Sequence, residues 1–456
     1  MSKTYRPYEP DQMYLMPPSL QEWLPDDHMV FFLRDVLATV NLSPITSVYE
    51  REERGSPPYH PTVMVGILLY GYCHGITSSR KLGVRCLEDV AFRVLAANNA
   101  PDFRTISDFR KRHLATVHHL FVEILSLCRE AGLVKFGHVA LDGTKIKANA
   151  SQHKAMSYGR MKQDITRLEK EIAELLAEAE STDEREDAQY GAQRRGDELP
   201  AELARRETRL AKIKEAKRAL EEEAENTDTD EPKPPSALEK PLAQIKTELD
   251  KETGEQQPVA KAQRNFTDPE SRIMPSKKTF IQGYNVQVAV DDAHQIIVGT
   301  YVTNCPNDYD LMPYMLAQLP KAPKLLTADA GYPVEPNLKH LKKKKIDAYI
   351  AVKREKHYYT ADAPAPRGRI PKHLSAQQRM ERKLLTKKGK RIYAKRKSTV
   401  EPVIGQIKHA QGFRQFSLRS LIKAEAEWFL VAATHNLRKL FAACKAQPSR
   451  RLLFAR

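Results

Sequence analysis

Cysteine is scarce in this chain of 456 residues, and its spacing excludes two kinds of cross-linked fold. The five cysteines are odd in number and scattered, and no two of them form a Cys-x-x-Cys pair. Neither a disulfide framework nor a zinc knuckle is therefore indicated. We expect all five to be reduced, with most of them packed in the core.

Long apolar runs are also missing. The longest run, residues 63–73, falls well short of the ~20 residues that a membrane helix needs. No N-terminal stretch has the charged, apolar and small-residue order of a signal peptide. We therefore expect no membrane partner and a cytoplasmic location of bacterial type. The length of the chain allows a substantial core and predicts two or three structural units.

The net charge of +16 is unevenly distributed along the chain. Residues 331–456 carry 31 Lys and Arg against 8 Asp and Glu, whereas residues 151–270 carry 21 against 29. The basic C-terminal region is a candidate surface for a polyanion such as DNA. The alternative is a solvated basic face without a partner.

Residues 1–135 have the apolar spacing of three and four that predicts helices. Within them, residues 79–82 and 105–112 each place a possible N-cap before a basic turn. Such a unit predicts helix-turn-helix-like contacts with double-stranded DNA, while a helical domain that only packs on its neighbour is the alternative. The candidate DNA-binding residues there are Arg80, Lys81, Arg110 and Lys111.

Two apolar runs, residues 137–144 and 324–332, each end in an acid close to a glycine. They predict buried strands, and we expect the acids Asp142 and Asp329 to face a cleft near the ends of these strands. Alternating residues in 280–290 and 295–302 predict a hairpin between them. Helices and a further strand at 346–352 follow. This order predicts an α/β domain whose mixed sheet is flanked by helices, with the two acid-bearing strands side by side.

Residues 155–265 interrupt this pattern as an insertion. Apolar residues are spaced by three and four in 165–175, and a similar apolar seam continues in 203–220, which predicts a helical hairpin with a coiled-coil seam. We expect the acidic residues 181–187 to form its turn and the acidic, proline-containing residues 221–260 to form a largely flexible linker. The hairpin either pairs subunits and holds DNA ends, or folds only on its own chain.

Glu401 is the third candidate acid, and it lies among Tyr393, Arg396 and Lys408. On one continuous helix, Arg396 would grip a phosphate with two hydrogen bonds, Lys408 would act as a point charge and Tyr393 would stack or hydrogen-bond. Three acids gathered by a sheet and a helix suit two hard divalent ions that cut and rejoin a phosphodiester. The sequence therefore predicts a DNA-processing enzyme.

Each acid also has a simpler interpretation. Asp142 and Asp329 are typical turn residues beside their glycines. Glu401 would be a favourable charge in the first turn of a helix that begins near Pro402.

The motifs Leu-Asp-Gly-Thr at 141–144, Ala-Asp-Ala-Gly-Tyr at 328–332 and the segment 393–408 together resemble the DDE transposases of bacterial insertion sequences with a Tyr-Arg-Glu-Lys signature. The resemblance extends over nearly the whole chain, including the helical N-terminal region and Gln-Gly-Tyr-Asn at 282–285. It implies an RNase H-like core, two Mg²⁺ or Mn²⁺ ions per site, cleavage at the ends of the element, and attack of the freed 3′-OH on target DNA.

Carried over by position, Asp142, Asp329 and Glu401 are the catalytic, metal-binding triad, and Tyr393, Arg396 and Lys408 contact DNA. Four residues separate Arg396 from Glu401 where the signature has three, so Lys397 competes for the phosphate. The insertion follows the first catalytic strand, whereas better-known relatives carry theirs nearer the glutamate.

The resemblance also implies partners and a division into domains. The expected partners are double-stranded DNA, at terminal inverted repeats and at the target, and a second copy of the chain in a homodimer on DNA. The expected domains are residues 1–135 for DNA binding, 136–154 with 266–456 for RNase H-like catalysis, and 155–265 as the insertion. A transposase-derived DNA-binding protein without transposition activity and an RNase H-like nuclease or recombinase are the alternatives.

Overall fold

The structure is a computed structural model that describes residues 19–50, 57–190, 201–228, 240–249, 256–276, 279–353, 365–366, 368, 370–371 and 373–447. The chain divides into two compact units, Met1–Thr116 with Leu440–Arg456, and Val117–Lys439. The division into three domains by residue range stays a prediction.

The first unit is helical, as its apolar spacing predicts. Two of its helices begin at residues suited to that position: His60 caps the helix that starts at Pro61, and Asp102 caps the helix that starts at Phe103 by accepting a 2.8 Å hydrogen bond from the Arg104 backbone N–H. Its helices are α1 Met29–Thr39, α2 Ser43–Tyr49, α3 Pro61–Cys73, α4 Ser79–Glu88, α5 Val90–Leu95 and α6 Phe103–Arg112.

No single described helix is long and apolar enough to cross a membrane, and only the bent pair α1 and α2, at 76° to each other, meets the length and composition together. All five cysteines are free thiols, and four of them are buried.

The second unit combines a mixed sheet with helices, which confirms the predicted α/β class. Its strands are β1 His138–Lys147, β2 Ala155–Ser157, β3 Thr247–Leu249, β4 Gln256–Pro258, β5 Gln263–Asn265, β6 Arg272–Ser276, β7 Thr279–Asp291, β8 Ile296–Thr303, β9 Leu325–Ala328 and β10 Asp347–Ile350. Its helices are α7 Leu114–Glu130, α8 Tyr158–Tyr190, α9 Ala201–Asp228, α10 Met312–Gln318, α11 Glu335–Lys343, α12 Ala376–Leu385, α13 Lys387–Ala394, α14 Arg396–Gly405 and α15 Leu421–Ala446; α7 and α15 each continue across a boundary between the units.

The main sheet has the order β10-β9-β1-β7-β6, with β8 also paired to β7. Strands β1, β9 and β10 are parallel, and β7 runs antiparallel to β1, β6 and β8. The two acid-bearing strands are therefore neighbours, as predicted. Every residue of β8 is buried, and so are the last ten residues of β7, including the polar residues Gln282, Asn285 and Gln287.

Helix α15 covers the hairpin of β7 and β8 through Trp428 and Asn436. The indole N–H of Trp428, which is 1% exposed, donates to Thr300 Oγ1 on β8 at 2.5 Å. The Asn436 side chain donates to the Ile297 carbonyl and accepts from its N–H, both at 2.9 Å. The two Asn436 bonds satisfy the backbone N–H and carbonyl of Ile297 on the edge of β8.

The insertion contains the predicted helical pair. Helices α8 and α9 share a small core, whose buried members are Tyr158, Met161, Leu168, Ile213, Ala216 and Leu220. Two details of the prediction are wrong. Residues 181–187 lie within α8, so the acidic stretch is not the turn, and α9 continues to Asp228. The short antiparallel strands β3 and β4 also give structure to part of the predicted linker.

Candidate active site

Asp142 and Asp329 come together because β1 is longer than its parallel neighbour. Pairing between β1 and β9 ends at Ala140 and Thr327, and β9 itself ends at Ala328. Asp142 therefore lies in the middle of β1, where the strand has lost its β9 partner, and not at a strand end as predicted. Asp329 follows β9 directly, so both acids border the notch that the shorter strand leaves.

Asp329 also fits its simpler interpretation as a turn residue. Its Oδ1 accepts a 2.8 Å hydrogen bond from the Gly331 N–H, which closes an Asx-type turn after β9. The carboxylate is also close enough to Asp142 for its negative charge to raise the pKa of that residue. Turn formation and a place beside the other acid are thus compatible.

Asp142 is paired with Arg396, the first residue of α14. Arg396 Nη1 donates to Asp142 Oδ2 at 3.0 Å, and the two side chains are 13% and 14% exposed. Burial raises the pKa of Asp142 to about 7; the charge of Arg396 acts against this rise, and the carboxylates of Asp329 and Asp308 add to it. Burial lowers the pKa of Arg396, but Asp142, Tyr393 and Asp329 together outweigh this effect and the net pKa is raised.

Glu401 reaches the same guanidinium from the other side. Its Oε1 lies 3.7 Å from Arg396 Nη1, and its side chain is 48% exposed. Helix α14 begins at Arg396, so Glu401 is not in a first turn, and Pro402 lies inside the helix. The simpler interpretation of Glu401, a charge beside a helix start, is therefore wrong. Arg396 joins the acid of β1 to the acid of α14.

The predicted continuous helix from Tyr393 to Lys408 is broken twice. Tyr393 belongs to α13 and packs on the core formed by Tyr349, Leu384 and Ile392, and Lys395 separates α13 from α14. A π-helical turn, Gln406–Ala410, then follows α14. Within this turn, Lys408 Nζ donates to the backbone carbonyl of Lys145 on β1 at 2.9 Å.

Lys397 differs from the two signature cations in its exposure. It lies on the solvent-exposed part of the first turn of α14, whereas Arg396 is directed at the acids and Lys408 is half-buried against β1. Arg396 and Lys397 are therefore neighbours in the helix with different surroundings: Arg396 contacts the acids, and Lys397 is exposed to solvent.

Asp308 is a fourth acid at the notch that the sequence analysis missed. Its Oδ1 accepts hydrogen bonds from Asn285 at 2.7 Å and Gln287 at 2.8 Å on β7, and lies 3.4 Å from Lys145 Nζ on β1. It follows β8 in an irregular connection, without the glycine that drew attention to the other acids. The sequence marks Asp308 only indirectly, through the amide residues Asn285 and Gln287, which are spaced by two on β7.

In the helical unit, the four predicted DNA-binding residues divide into two groups. Arg80, Lys81 and Lys111 are exposed, with Arg80 over the ring of Phe103 at 5.3 Å. Arg110 is 7% exposed and donates to the Tyr72 hydroxyl and the Thr77 carbonyl, both at 2.9 Å. The predicted DNA contact of Arg110 is thus wrong, since its charge is buried inside the helical unit.

The donor chemistry of the notch fits a hard divalent ion, because Asp142, Asp329, Asp308 and Glu401 all offer carboxylate oxygens. Within the described part of the chain, however, no three His, Cys, Asp or Glu side chains are spaced to hold one ion between them. Arg396 supplies the positive charge between Asp142 and Glu401 instead. An ion shared by these two acids therefore requires the guanidinium to move.

The sheet and its acids define an α/β protein with an RNase H-like core. Residues 253–437 match the family described as Transposase DDE domain, and residues 18–112 match Transposase domain (DUF772). The chain thus belongs to the insertion-sequence DDE transposases, which confirms the resemblance. Asp329 and Glu401 lie inside the first match, whereas Asp142 precedes it, before the insertion. Comparisons with curated proteins and with solved structures give no match.

Proposed function

We propose that this transposase cuts DNA at the ends of its element and joins the freed 3′-OH to target DNA, with Asp142, Asp329 and Glu401 as its catalytic acids. The observation that carries the proposal is the bridge made by Arg396 between Asp142 on β1 and Glu401 on α14. Acids far apart in the chain meet there at one guanidinium, beside the turn that holds Asp329.

Asp142, Asp329 and Glu401 would hold Mg²⁺ or Mn²⁺. Such ions stabilise the attacking and leaving oxygens of an in-line displacement at phosphorus. The raised pKa of Asp142 supports this assignment, since a buried carboxyl beside two other acids is one whose charged form gains from an added cation. We infer two ions per site from the number of carboxylates.

The protein also has to hold the phosphate backbone. In our proposal Lys397 binds a phosphate from its exposed position, and Arg396 would turn to DNA once Asp142 and Glu401 hold a divalent ion. Tyr393 and Lys408 lie at the two ends of the segment 393–408 and also contact the phosphate backbone in our proposal. Arg80, Lys81 and Lys111 bind double-stranded DNA through the helical unit, as sequence-independent phosphate contacts.

Two ends of an element have to be processed together, which is the reason to propose a homodimer on DNA. The helical pair α8 and α9 is a candidate for holding the second copy or a DNA end, because these two long helices belong to a chain segment that supplies none of the proposed acids. A pair that packs only on its own chain remains the alternative for this element. In a bacterial cell the complex would be cytoplasmic and bound to the nucleoid.

The test is cleavage of a duplex that carries the DNA flanking the coding region, with Mg²⁺ or Mn²⁺ present. We expect the unaltered protein to nick at the element end, and Asp142→Ala and Glu401→Ala to lose cleavage while they keep binding the duplex. Asp310→Asn, which alters an exposed acid on a nearby turn, is the matched control. Equal cleavage by the alanine variants would refute the triad, and binding without cleavage by every form would indicate a DNA-binding protein alone.

A further inference from the structure

Asp308 lies where the two acid-bearing segments and β7 meet, although no motif in the sequence marks it. Three donors converge on its Oδ1: the side-chain amides of Asn285 and Gln287, and the ammonium of Lys145. The side chain is 20% exposed, and that of Lys145 is 15% exposed. A single carboxylate oxygen is thus held by two strands.

The amide of Gln287 is oriented by a second contact. The hydroxyl of the buried Tyr332 donates to Gln287 Oε1, which turns Gln287 Nε2 toward Asp308. Tyr332 belongs to the same Ala-Asp-Ala-Gly-Tyr motif as Asp329. A hydrogen-bonded series therefore runs from the turn of Asp329 through β7 to Asp308, and each donor in it has an acceptor.

Two glycines make room for Asp308. A Cβ on Gly143 would lie 2.8 Å from Asp308 Oδ1 and 2.6 Å from Gln287 Nε2, which no real side chain tolerates. A Cβ on Gly331 would lie 3.2 Å from the Asp308 Cβ. These are the glycines of Asp-Gly and Asp-Ala-Gly, so both motifs keep the space beside their acid open for the same third side chain.

The second oxygen of Asp308 and one oxygen of Asp329 border the same glycine. The position that a Cβ on Gly331 would take lies 3.4 Å from Asp308 Oδ2 and 3.1 Å from Asp329 Oδ1, so one small gap is bordered by an oxygen of each acid. The charge of Asp308 also acts on Asp142, whose pKa it helps to raise. Asp308 thus borders both of the proposed metal-binding aspartates.

From this geometry we propose that Asp308 is a fourth carboxylate of the divalent-ion site, with Oδ1 held by the protein and Oδ2 directed at the ion. The proposal rests on the assignment of Asp142 and Asp329 to that site. Lys145 Nζ, 3.4 Å from Oδ1, joins the two amides in holding this oxygen beside the other acids before an ion binds. Removal of the charge at residue 308 should therefore weaken ion binding without disturbing the fold.

The experiment is calorimetric titration of the full-length protein with Mn²⁺ alone, in the absence of DNA. Asp308→Asn keeps an oxygen that accepts from Asn285 and Gln287 but removes the charge. We expect it to bind Mn²⁺ about 10-fold to 100-fold more weakly, the usual effect of altering a group at a metal site, with an unchanged melting temperature. Asp308→Ala should in addition lower the melting temperature, since it leaves three donors without their acceptor. Asp310→Asn is the charge-matched control and should bind as the unaltered protein does.

Asp142→Asn is titrated in parallel to separate the two proposals. Weaker Mn²⁺ binding by Asp142→Asn together with unaltered binding by Asp308→Asn would overturn the role of Asp308 and leave the metal site intact. Unaltered binding by both variants would refute the metal site itself. A lower melting temperature for Asp308→Ala, with unaltered Mn²⁺ binding by Asp308→Asn, would reduce Asp308 to a hydrogen-bonding residue.

Discussion

The buried carboxyl of Asp142 makes the stability of the metal-free protein depend on pH in a defined direction. Its pKa is about 7 in the folded chain against an ordinary value of 3.8. A carboxyl whose pKa is higher in the folded chain than in the unfolded chain stabilises the fold at any pH below its unfolded pKa. This stabilisation is lost as the pH rises through the folded pKa. The difference between the two pKa values corresponds to about 4 kcal/mol.

Asp142→Asn removes the titration and keeps the shape of the side chain. We expect the unfolding free energy of the unaltered protein, relative to that of Asp142→Asn, to fall by up to about 4 kcal/mol between ~pH 4 and ~pH 8. The assay is urea denaturation of both proteins in a chelator across this range. Addition of Mg²⁺ should shrink the fall, because an ion that binds only the folded chain stabilises the charged form.

The comparison with a variant isolates Asp142 from other groups that titrate in the same range. Burial lowers the pKa of His138 and of His118, so their contributions to stability are lost as pH falls and run in the opposite direction. Both contributions are common to the two proteins and cancel in the difference. A difference that stays constant with pH would refute the reasoning, because Asp142 would then be ionised in the folded chain at no cost.

Further predictions concern the bridge, the helical unit and the insertion. Arg396→Gln should cost about 3–5 kcal/mol of unfolding free energy at ~pH 8 and less at ~pH 5, where Asp142 takes up a proton; an equal cost at both would contradict the pairing. Arg110→Ala should destabilise the protein by about 1–3 kcal/mol in thermal unfolding, because Arg110 is held by buried hydrogen bonds. Lys111→Ala should leave the melting temperature unchanged and reduce the salt dependence of DNA binding by about one counterion. The reverse pattern would place Arg110 at the DNA. Leu168→Ala in the insertion core should cost about 2–5 kcal/mol in urea denaturation, and a cost under ~0.5 kcal/mol would show that α8 and α9 do not pack as described.

The catalytic sheet could be predicted because its strands have patterns that depend only on nearby residues. The apolar runs before Asp142 and Asp329, and the alternation on both sides of the turn after Asp291, set β1, β9, β7 and β8 without information from elsewhere in the chain. Strand β6 carries a proline and only partly apolar residues, and it was missed, since only its pairing with β7 makes it a strand.

The site was harder to predict because it depends on contacts between distant residues. Asp308 sits outside any strand pattern, and its place follows from amides on β7 and a lysine on β1. Arg110 looked like an exposed cation of a basic turn, but the hydroxyl of Tyr72 and a carbonyl hold it inside. The break at Lys395 and the π-helical turn changed which cations face the acids, and helical periodicity alone could not show either.

The pairing of β1 with β7 ends at Lys147, which faces Gly283. Residues 148–282, which hold the insertion and also β6, form one long connection closed at this point, with the Ala148 N–H bonded to the Gln282 carbonyl at 2.9 Å. Closing such a loop instead of a four-residue turn takes roughly five doublings of length, or about 3 kcal/mol of chain entropy. The sheet that carries Asp142 can therefore tolerate large changes in the length of this segment, provided that its two ends stay paired.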